Sequence, residues 1–332
     1  MKSNPIYYTD QHFAFADSVR KFVQKELMPH INEWEEAETF PRELYQKTAD
    51  IGLLGLGFDE NYGGIAGTDA FHVLLSSIEL AKTGSGGLCA SLLSHSIGAP
   101  PINHFASAEI KEAILTKILS GEKISALAIT EPTGGSDVAA LQTKAVRDGD
   151  DYIVTGEKTF ITSGIRADYY TVAVRTDPEA KGPNGISMLL IDAHSAGITK
   201  SKLDKMGWWA SDTAHLHFDN VRVPAKNLLG AENMGFLVIM NNFNMERFFL
   251  AASSYGFALV CYEEALEWAQ QRKTFGKRLV DHQVVRHKLV DMATRLTTTL
   301  ALLEDTAYRL GRADMQGSEW LAQMCMLKNV AP

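Results

Sequence analysis

The stretch LAITEPTGGSD, residues 127–137, turns an apolar strand into a polar and unhindered loop. Leu127 and Ile129 are typical of a strand. Pro132 lacks the amide that a sheet interior requires, so the strand has to end before it. An apolar strand that stops at a polar loop can form a cradle for a large polar cofactor.

Two glycines and two hydroxyl groups give this loop the means to bind a ligand. Gly134 and Gly135 permit positive φ angles and a close approach of the backbone, with amides free to face an anion. The hydroxyl groups of Thr130 and Ser136 can exchange hydrogen bonds with a heterocycle or a phosphate. An ordinary turn after a strand explains the same residues equally well.

The composition is that of an ordinary globular protein. The 332 residues can form two or three domains, and no apolar run is long enough to span a membrane. The net charge of −8 argues against broad binding of nucleic acids, which needs a basic surface. The first residues lack the apolar core of a signal peptide, and three scattered cysteines favour a reducing compartment.

The spacing of apolar residues changes twice along the chain and predicts a multidomain α+β protein. Residues 1–120 predict an N-terminal helical domain, residues 121–231 a middle β-barrel-like domain, and residues 232–332 a C-terminal helical bundle. In the first region, the helical spacing is seen at Phe13, Ala16, Val19, Phe22 and Val23.

Several elements are predicted within these regions. In the C-terminal domain a long helix ends near Gly276, a second covers His282 to Leu310, and a third begins near Ser318. Four strands are predicted in the middle domain, at residues 152–155, 170–174, 186–190 and 215–218. The apolar stripe of the long helix contains Phe236, Ile239, Met240, Phe243, Leu250 and Phe257.

Two further patterns have simpler explanations. Residues 53–57 contain two glycines but lack the strand-then-helix setting of a dinucleotide site, so we predict a loop between helices that ends at residues 62–64. His215 and His217 share one face of a strand, but no third ligand is nearby in the sequence, and we predict no metal site.

Helical geometry places Glu246 in the apolar stripe of the long helix, three residues after Phe243 and four before Leu250. Desolvation at such a position raises the pKa of a carboxyl group toward the range of a proton-abstracting base. The alternative is a structural carboxylate that is neutralised by Arg247 or by a partner from another element.

Four cations lie within residues 272–278, RKTFGKR, in an otherwise acidic chain. A pyrophosphate or nucleotide phosphate would suit this cluster. A helix C-terminus that collects cations to complement its dipole explains it equally well.

Residues 159–164, TFITSG, end another predicted strand. Phe160 and Thr162 lie two residues apart and therefore face one side, where they can stack on and hydrogen-bond to a flat ring system. An aromatic residue on an edge strand beside a turn is the alternative.

Together these stretches resemble the acyl-CoA dehydrogenase family of flavoproteins, from the first helix to the end of the chain. Four motifs carry the resemblance: ITEPTGGSD at 129–137, FIT at 160–162, KMGW at 205–208 and QRKTFGK at 271–277. The order of helical, β and helical domains matches as well.

The resemblance implies that FAD binds at the middle domain. The residues that match flavin contacts are Leu127, Ile129, Thr130, Gly135, Ser136, Phe160, Ile161 and Thr162. Those that match contacts to the ADP half of FAD on a neighbouring subunit are Arg272, Thr274, Phe275, His282 and Gln283. A homo-oligomer is therefore implied, typically a tetramer, with an electron-transferring flavoprotein as electron acceptor.

The reaction that the resemblance implies is the α,β-dehydrogenation of an acyl-CoA to a trans-2-enoyl-CoA, as in fatty acid β-oxidation. A carboxylate removes the pro-R α-proton, and the β-hydrogen leaves as hydride to flavin N5. Residues 243–247 match the long-chain and isovaleryl branches, so the resemblance implies that Glu246 is the base and that Ser136, Asn244 and Arg247 contact the substrate. It favours long or branched acyl chains.

The chain also departs from the family. Phe160 stands where a tryptophan is often found, and the chain stops before the family's glycine-rich FAD motif, so we expect a part of a longer protein. A flavin monooxygenase or oxidase on the same scaffold, or a non-catalytic protein that kept the fold, are the alternatives. The expected location is the cytoplasm of a bacterium or the mitochondrial matrix of a eukaryote.

Overall fold

The computed structural model describes residues 6–312 and 317–332, and the chain divides into two compact units. The helical unit contains the described residues up to Pro29, Gly67–Gly84 and those from Asn244 onward. The sheet unit contains His30–Ala66 and Ser85–Phe243. The predicted fold class is confirmed, because helices precede and follow a β region along the chain.

Short helices make up the first part of the chain. In the described residues before the sheet, the helices are α1 (Asp10–Phe22), α2 (Ile31–Glu36), α3 (Glu43–Asp50), α4 (Ala70–Ala81), α5 (Gly86–Leu92), α6 (His95–Gly98), α7 (Pro100–Phe105), α8 (Ala108–Ile110) and α9 (Thr116–Leu119). Two π-helical turns, Val23–Leu27 and Lys111–Leu115, and three 3-10 turns, Met28–His30, Leu53–Gly55 and Glu60–Tyr62, connect them. The predicted loop between helices at residues 53–64 is confirmed.

The buried face of α1 differs slightly from the predicted one. His12, Ala16, Val19 and Phe22 are buried, whereas the Phe13 side chain is 44% exposed. His12 takes the position one turn before Ala16 and is buried there by hydrogen bonds, so Phe13 is rotated toward the surface.

Seven strands of the sheet unit form one sheet. They are β1 (Ser125–Ala128), β2 (Lys144–Asp148), β3 (Asp151–Thr162), β4 (Tyr169–Arg175), β5 (Ile186–Asp192), β6 (Ile198–Lys202) and β7 (Thr213–Pro224). The strand order is β1-β4-β2-β3-β7-β6, with β5 paired to β4. β4 runs parallel to β1 and to the start of β2, and the other pairs are antiparallel.

The four predicted strands are found, and all of them are longer than predicted, β3 and β7 by the most. β3 continues without a break from Asp151 to Thr162, so residues 159–162 belong to the strand that begins near Tyr152 and do not form another one. The pairing with β7 shifts register twice: the extra residue is on β7 after Val154 and on β3 after Lys158, so β3 changes its facing only near its end.

The long helix α10 (Gly235–Gln271) ends five residues earlier than the predicted end near Gly276. A small hairpin follows, with β8 (Lys273–Thr274) paired to β9 (Lys277–Arg278). Phe275 and Gly276 have φ angles of 53° and 75°, which is the backbone of a tight two-residue turn. This hairpin turns the chain back at once and leads to α11 (Gln283–Leu310) and α12 (Gly317–Val330), close to the predicted helices.

The core of the helical unit shows which face of α10 is buried. Phe248, Ala251 and Tyr255 pack against Leu296 and Leu303 of α11. Leu250 and Phe257, which the sequence places in the buried stripe, are only half-buried. The helix carries apolar residues on several faces, so its periodicity does not select the buried one.

No helix among the described residues is both long enough and apolar enough to span a membrane.

Candidate active site

The loop after β1 is closed on itself by two backbone hydrogen bonds. The Glu131 amide donates to the Gly134 carbonyl oxygen, and the Gly134 amide donates to the Glu131 carbonyl oxygen, both at 3.1 Å. Neither Gly134 nor Gly135 has a positive φ angle. The prediction of left-handed glycines with two free amides is therefore wrong, because the turn itself uses the Gly134 amide.

The glycines instead keep the surface of the loop open. A Cβ atom built on Gly134 has no heavy atom within 4 Å, and one built on Gly135 contacts only Thr130 Cγ2, at 3.4 Å. Gly134, Gly135 and Ser136 are exposed. A flat or bulky ligand can therefore reach the backbone of this loop without meeting a side chain.

A buried ion pair adjoins the loop. The Lys158 ammonium group, which has no exposed surface, contacts the Glu131 carboxylate at 2.8 Å and the Ile129 carbonyl oxygen at 3.0 Å. The Glu131 carboxylate also accepts hydrogen bonds from the amides of Gln142 and Thr143, at 2.6 and 2.8 Å. The Glu131 carboxylate thus binds the backbone of residues 142 and 143 directly and that of residue 129 through Lys158.

Burial and charge oppose each other in this pair. Burial lowers the pKa of the Lys158 ammonium group to about 8, although Glu131 favours its charged form. Burial alone would raise the pKa of the Glu131 carboxyl group, but Lys158 and the hydrogen bonds from Thr143 and Gln142 lower it below its ordinary value.

Sequence reasoning missed both residues. One of them could have been found from the alternation of β3. Tyr152, Val154 and Lys158 lie at every second position and share one face, so the pattern predicts that the Lys158 cation is on the buried side of the strand. The partner, 27 residues away, follows only from the tertiary structure.

The end of β3 lies beside the loop. The Thr159 amide donates to the Thr130 carbonyl oxygen at 2.9 Å, which brings the two motifs together. Phe160 has a φ angle of 59° and its side chain is 69% exposed, whereas Ile161 is buried. A bulge lies between Lys158 and Ile161, and the common facing of Phe160 and Thr162 stays a prediction.

The two apolar residues before the loop belong to the core. Ile129 is buried, and Leu127 is partly buried against the same cluster, which includes Leu115 and Ile239. The side chain of Ile129 is therefore not part of the open surface of the loop.

Glu246 lies on α10 and has a buried carboxylate oxygen, Oε2, with no hydrogen-bond partner among the described residues. Burial raises the pKa of its carboxyl group to about 6, and the charges of Arg247 and Lys328 lower it by a smaller amount. The Arg247 guanidinium group donates to Asn244 Oδ1 at 2.8 Å. Glu246 Oε2 forms no hydrogen bond with Arg247, although the charges of Arg247 and Lys328 both favour the ionised carboxylate, and the choice between a base and a structural carboxylate stays a prediction.

The hairpin after α10 brings together several residues of the basic motif. Thr274 contacts His282, with 3.4 Å between Oγ1 and Nε2, and the rings of Phe275 and His282 lie edge to face. The Phe275 side chain is 95% exposed at the tip of the turn. Arg272 and Gln283 are exposed as well.

The motif at 205–208 holds a second loop in place. Trp208 has a φ angle of 58°, and a Cβ atom built on Gly86 would lie 2.4 Å from its indole nitrogen. Gly87 is approached as closely by the Trp208 backbone. Only glycines therefore allow this tryptophan to lie on the start of α5.

Two histidine pairs have structural explanations. His215 and His217 each contact one oxygen of Glu157, at 3.5 and 3.4 Å. His12, Asp69 and His72 lie close enough to hold a metal ion. However, the Thr9 amide donates to His12 Nδ1, so in the neutral ring the proton is on Nε2, facing Asp69. We interpret this cluster as a hydrogen-bonded cap of α1 and α4.

Known proteins of one family match all three regions of the chain. Family models for the acyl-CoA dehydrogenase N-terminal, middle and C-terminal domains match residues 9–122, 126–221 and 233–332. The long-chain specific acyl-CoA dehydrogenase of Mus musculus is 38% identical over 299 residues, which is 90% of this chain and 69% of that relative.

Solved structures agree with these matches. The acyl-CoA dehydrogenase from Geobacillus kaustophilus has 37% identity and a TM-score of 0.91, over 98% of this chain and 86% of the other. A glutaryl-CoA dehydrogenase from Mycobacterium smegmatis in complex with FADH2 has 29% identity and a TM-score of 0.89, over 99% and 83%.

Proposed function

Because the chain belongs to the acyl-CoA dehydrogenase family of oxidoreductases, we propose that it catalyses the FAD-dependent α,β-dehydrogenation of an acyl-CoA thioester to a trans-2-enoyl-CoA. The observation that carries this proposal is the carboxylate of Glu246, which has a buried oxygen without a hydrogen-bond partner among the described residues and a pKa raised to about 6. A carboxylate in this state is basic enough to remove a proton and is still ionised at neutral pH.

The residues of the sheet unit suit a flavin. The open surface at Gly134 and Gly135, the exposed ring of Phe160, and the hydroxyl groups of Thr130 and Ser136 can hold a flat heterocycle with polar edges. The related glutaryl-CoA dehydrogenase, which was solved with FADH2, supports FAD as the cofactor. When bound, FAD would supply the acceptor for the hydride that leaves the β-carbon.

Glu246 would take the α-proton of the thioester onto its carboxylate. Its apolar surroundings exclude water and raise its basicity, and the neutral acid that results suits a buried site better than the charge did. Arg247 and Asn244, joined by a hydrogen bond, are proposed to contact the substrate together with Ser136. We propose a long or branched acyl chain, by similarity to the long-chain enzyme.

The basic hairpin is proposed to bind the ADP half of FAD on a neighbouring subunit. Phe275 is almost fully exposed there and lies edge to face with His282, which contacts Thr274, and Arg272 and Gln283 are exposed in the same segment. This role implies a homo-oligomer, typically a tetramer, and the family resemblance implies an electron-transferring flavoprotein as acceptor. Sedimentation velocity of the purified chain would test the oligomeric state.

The decisive experiment is an anaerobic titration of the FAD-loaded protein with a panel of acyl-CoAs. We expect bleaching of the flavin absorbance by at least one thioester and formation of its enoyl product. Glu246→Gln should retain FAD but lose the bleaching. The matched control is Glu264→Gln, an exposed residue on the same helix, which should behave as the wild type.

Other outcomes would identify the alternatives. Turnover that consumes O₂ without an enoyl-CoA product would indicate a monooxygenase or oxidase. A colourless protein whose melting temperature does not change with added FAD would indicate a non-catalytic binding protein.

A further inference from the structure

Lys158 contacts the backbone of the proposed flavin loop from the buried side. Its ammonium group donates to the Ile129 carbonyl oxygen and to Glu131, and Glu131 is fixed by two further backbone amides. Both charges are therefore hydrogen-bonded, the ammonium group to two acceptors and the carboxylate to three donors, and this part of the loop is held by side chains that have almost no exposed surface.

Stability alone does not explain such a pair. Two charges lose their hydration on burial, and an apolar pair of similar volume is often as stable or more stable. A buried ion pair whose cation also binds a carbonyl group of the proposed cofactor loop is better explained by what it does to that loop.

The Ile129 carbonyl group and the Thr130 amide belong to the same peptide group. In a trans peptide the N–H points away from the C=O, so the Thr130 amide faces away from Lys158. Among the described residues this amide has no hydrogen-bond partner, whereas the Thr130 carbonyl oxygen accepts from Thr159. A cation bound to the carbonyl oxygen polarises the peptide group and makes its free N–H a stronger donor.

We propose that Lys158 is a positioning residue for the flavin, which fixes the backbone at residues 129–131 and, through the Ile129 carbonyl, strengthens the Thr130 amide as a donor to the ring. This inference rests on the proposed function. Reduction places additional electron density on the ring, so a stronger donor stabilises reduced flavin more than oxidised flavin. Lys158 then raises the affinity for the reduced cofactor relative to the oxidised one.

The test compares Lys158→Met and Lys158→Gln, which remove the charge, with Glu131→Gln, which leaves the Lys158 amine on the Ile129 carbonyl group but removes the carboxylate that favours its charged form. The dissociation constant of oxidised FAD and the midpoint potential are measured on the full chain. For both Lys158 variants we expect weaker FAD binding and a reduced-to-oxidised affinity ratio at least tenfold lower, a fall of about 30 mV in the two-electron potential. For Glu131→Gln the ratio should approach the wild-type value as the pH falls, because a lower pH restores the Lys158 cation on the Ile129 carbonyl group.

The control for general destabilisation is Glu79→Gln, in the helical unit, which breaks the buried contacts of Glu79 with Arg20 and Lys82. It should lower the melting temperature and leave the potential unchanged. Hydrogen exchange of residues 129–143 without added flavin gives a second reading, because Lys158→Gln should increase exchange there and Glu79→Gln should not.

Two results would overturn the inference in different ways. If the wild type binds FAD and both Lys158 variants keep its affinity and potential, Lys158 is only structural, and the proposed function stands. If the wild type binds no FAD, the proposed function fails and this inference fails with it.

Discussion

Glu131 in the sheet unit and Glu246 in the helical unit are both largely buried, but their surroundings shift the pKa values of their carboxyl groups in opposite directions. Glu131 is surrounded by a cation and two backbone amides, which hold the pKa of its carboxyl group below the ordinary value. Glu246 has a carboxylate oxygen without a partner, and burial raises the pKa of its carboxyl group to about 6.

The difference shows that burial alone does not assign a role to a carboxylate. A paired carboxylate keeps its charge and stabilises the backbone around it, as at the loop after β1. An unpaired one is destabilising when charged, and such a group is retained where its basicity is useful. The variants below break one side of this comparison at a time.

The largest effect is expected for Glu246→Gln on turnover. Gln cannot accept the α-proton, and loss of a general base lowers kcat/KM by about 10² to 10⁴-fold. Stopped-flow reduction of the flavin by an acyl-CoA measures this step. Activity within twofold of the wild type would exclude Glu246 as the base.

Lys158→Met should strongly destabilise the sheet unit. The Glu131 carboxylate would be left buried without its cation, and such a change costs about 3–5 kcal/mol of unfolding free energy. Denaturant unfolding measures the loss. The double variant Lys158→Met with Glu131→Gln should recover most of it, and a double variant as unstable as the single one would contradict the pairing.

Glu246→Gln should have the opposite sign on stability. A carboxyl group with a folded pKa of about 6 and an unfolded pKa of 4.5 destabilises the charged state by about 2 kcal/mol. This destabilisation is fully present above pH 6 and disappears as the pH falls to 4.5. Unfolding at pH 8 should therefore show a more stable variant, and unfolding at pH 4 should show no difference.

The pH dependence of the wild type should report the same group. The base has to be ionised, so kcat/KM should fall about tenfold for each pH unit below about 6. An acid limb near the ordinary pKa of a glutamate would indicate that Glu246 is paired in solution.

The smallest effect on stability is expected at the open loop. Gly134→Ala has no positive φ angle to strain and no neighbour within 4 Å, so the free energy of unfolding should change by less than about 1 kcal/mol. The added methyl group should still weaken FAD binding. The control is Gly156→Ala, at a φ angle of 148° and 2.7 Å from Thr143 Cα, which should be clearly destabilising.

Much of the fold and part of the candidate site could be predicted. The order of helical and β regions follows from periods of 3.6 and 2 in the apolar residues, and the loop at 129–137 follows from a proline after a strand. The raised pKa of Glu246 agrees with its prediction among apolar residues of one helix, although its neighbour Leu250 is only half-buried.

The predictions that were wrong have one common cause: the local pattern of residues does not show which backbone groups will be hydrogen-bonded to one another. The end of α10 at Gln271 is set by the β8–β9 hairpin, which pairs residues that the sequence pattern placed in the helix. The glycines of the loop use an ordinary backbone because Gly134 is hydrogen-bonded to Glu131.

The amino-acid sequence by itself determined the order of helices and strands, the open polar loop and the position of Glu246, where a charge is unfavourable. Each of these depends on residues close together in the chain. Only the tertiary structure decided which carboxylate is paired. Lys158 meets Glu131 because the end of β3 is hydrogen-bonded to the loop after β1, and no comparable cation is hydrogen-bonded to Glu246 among the described residues.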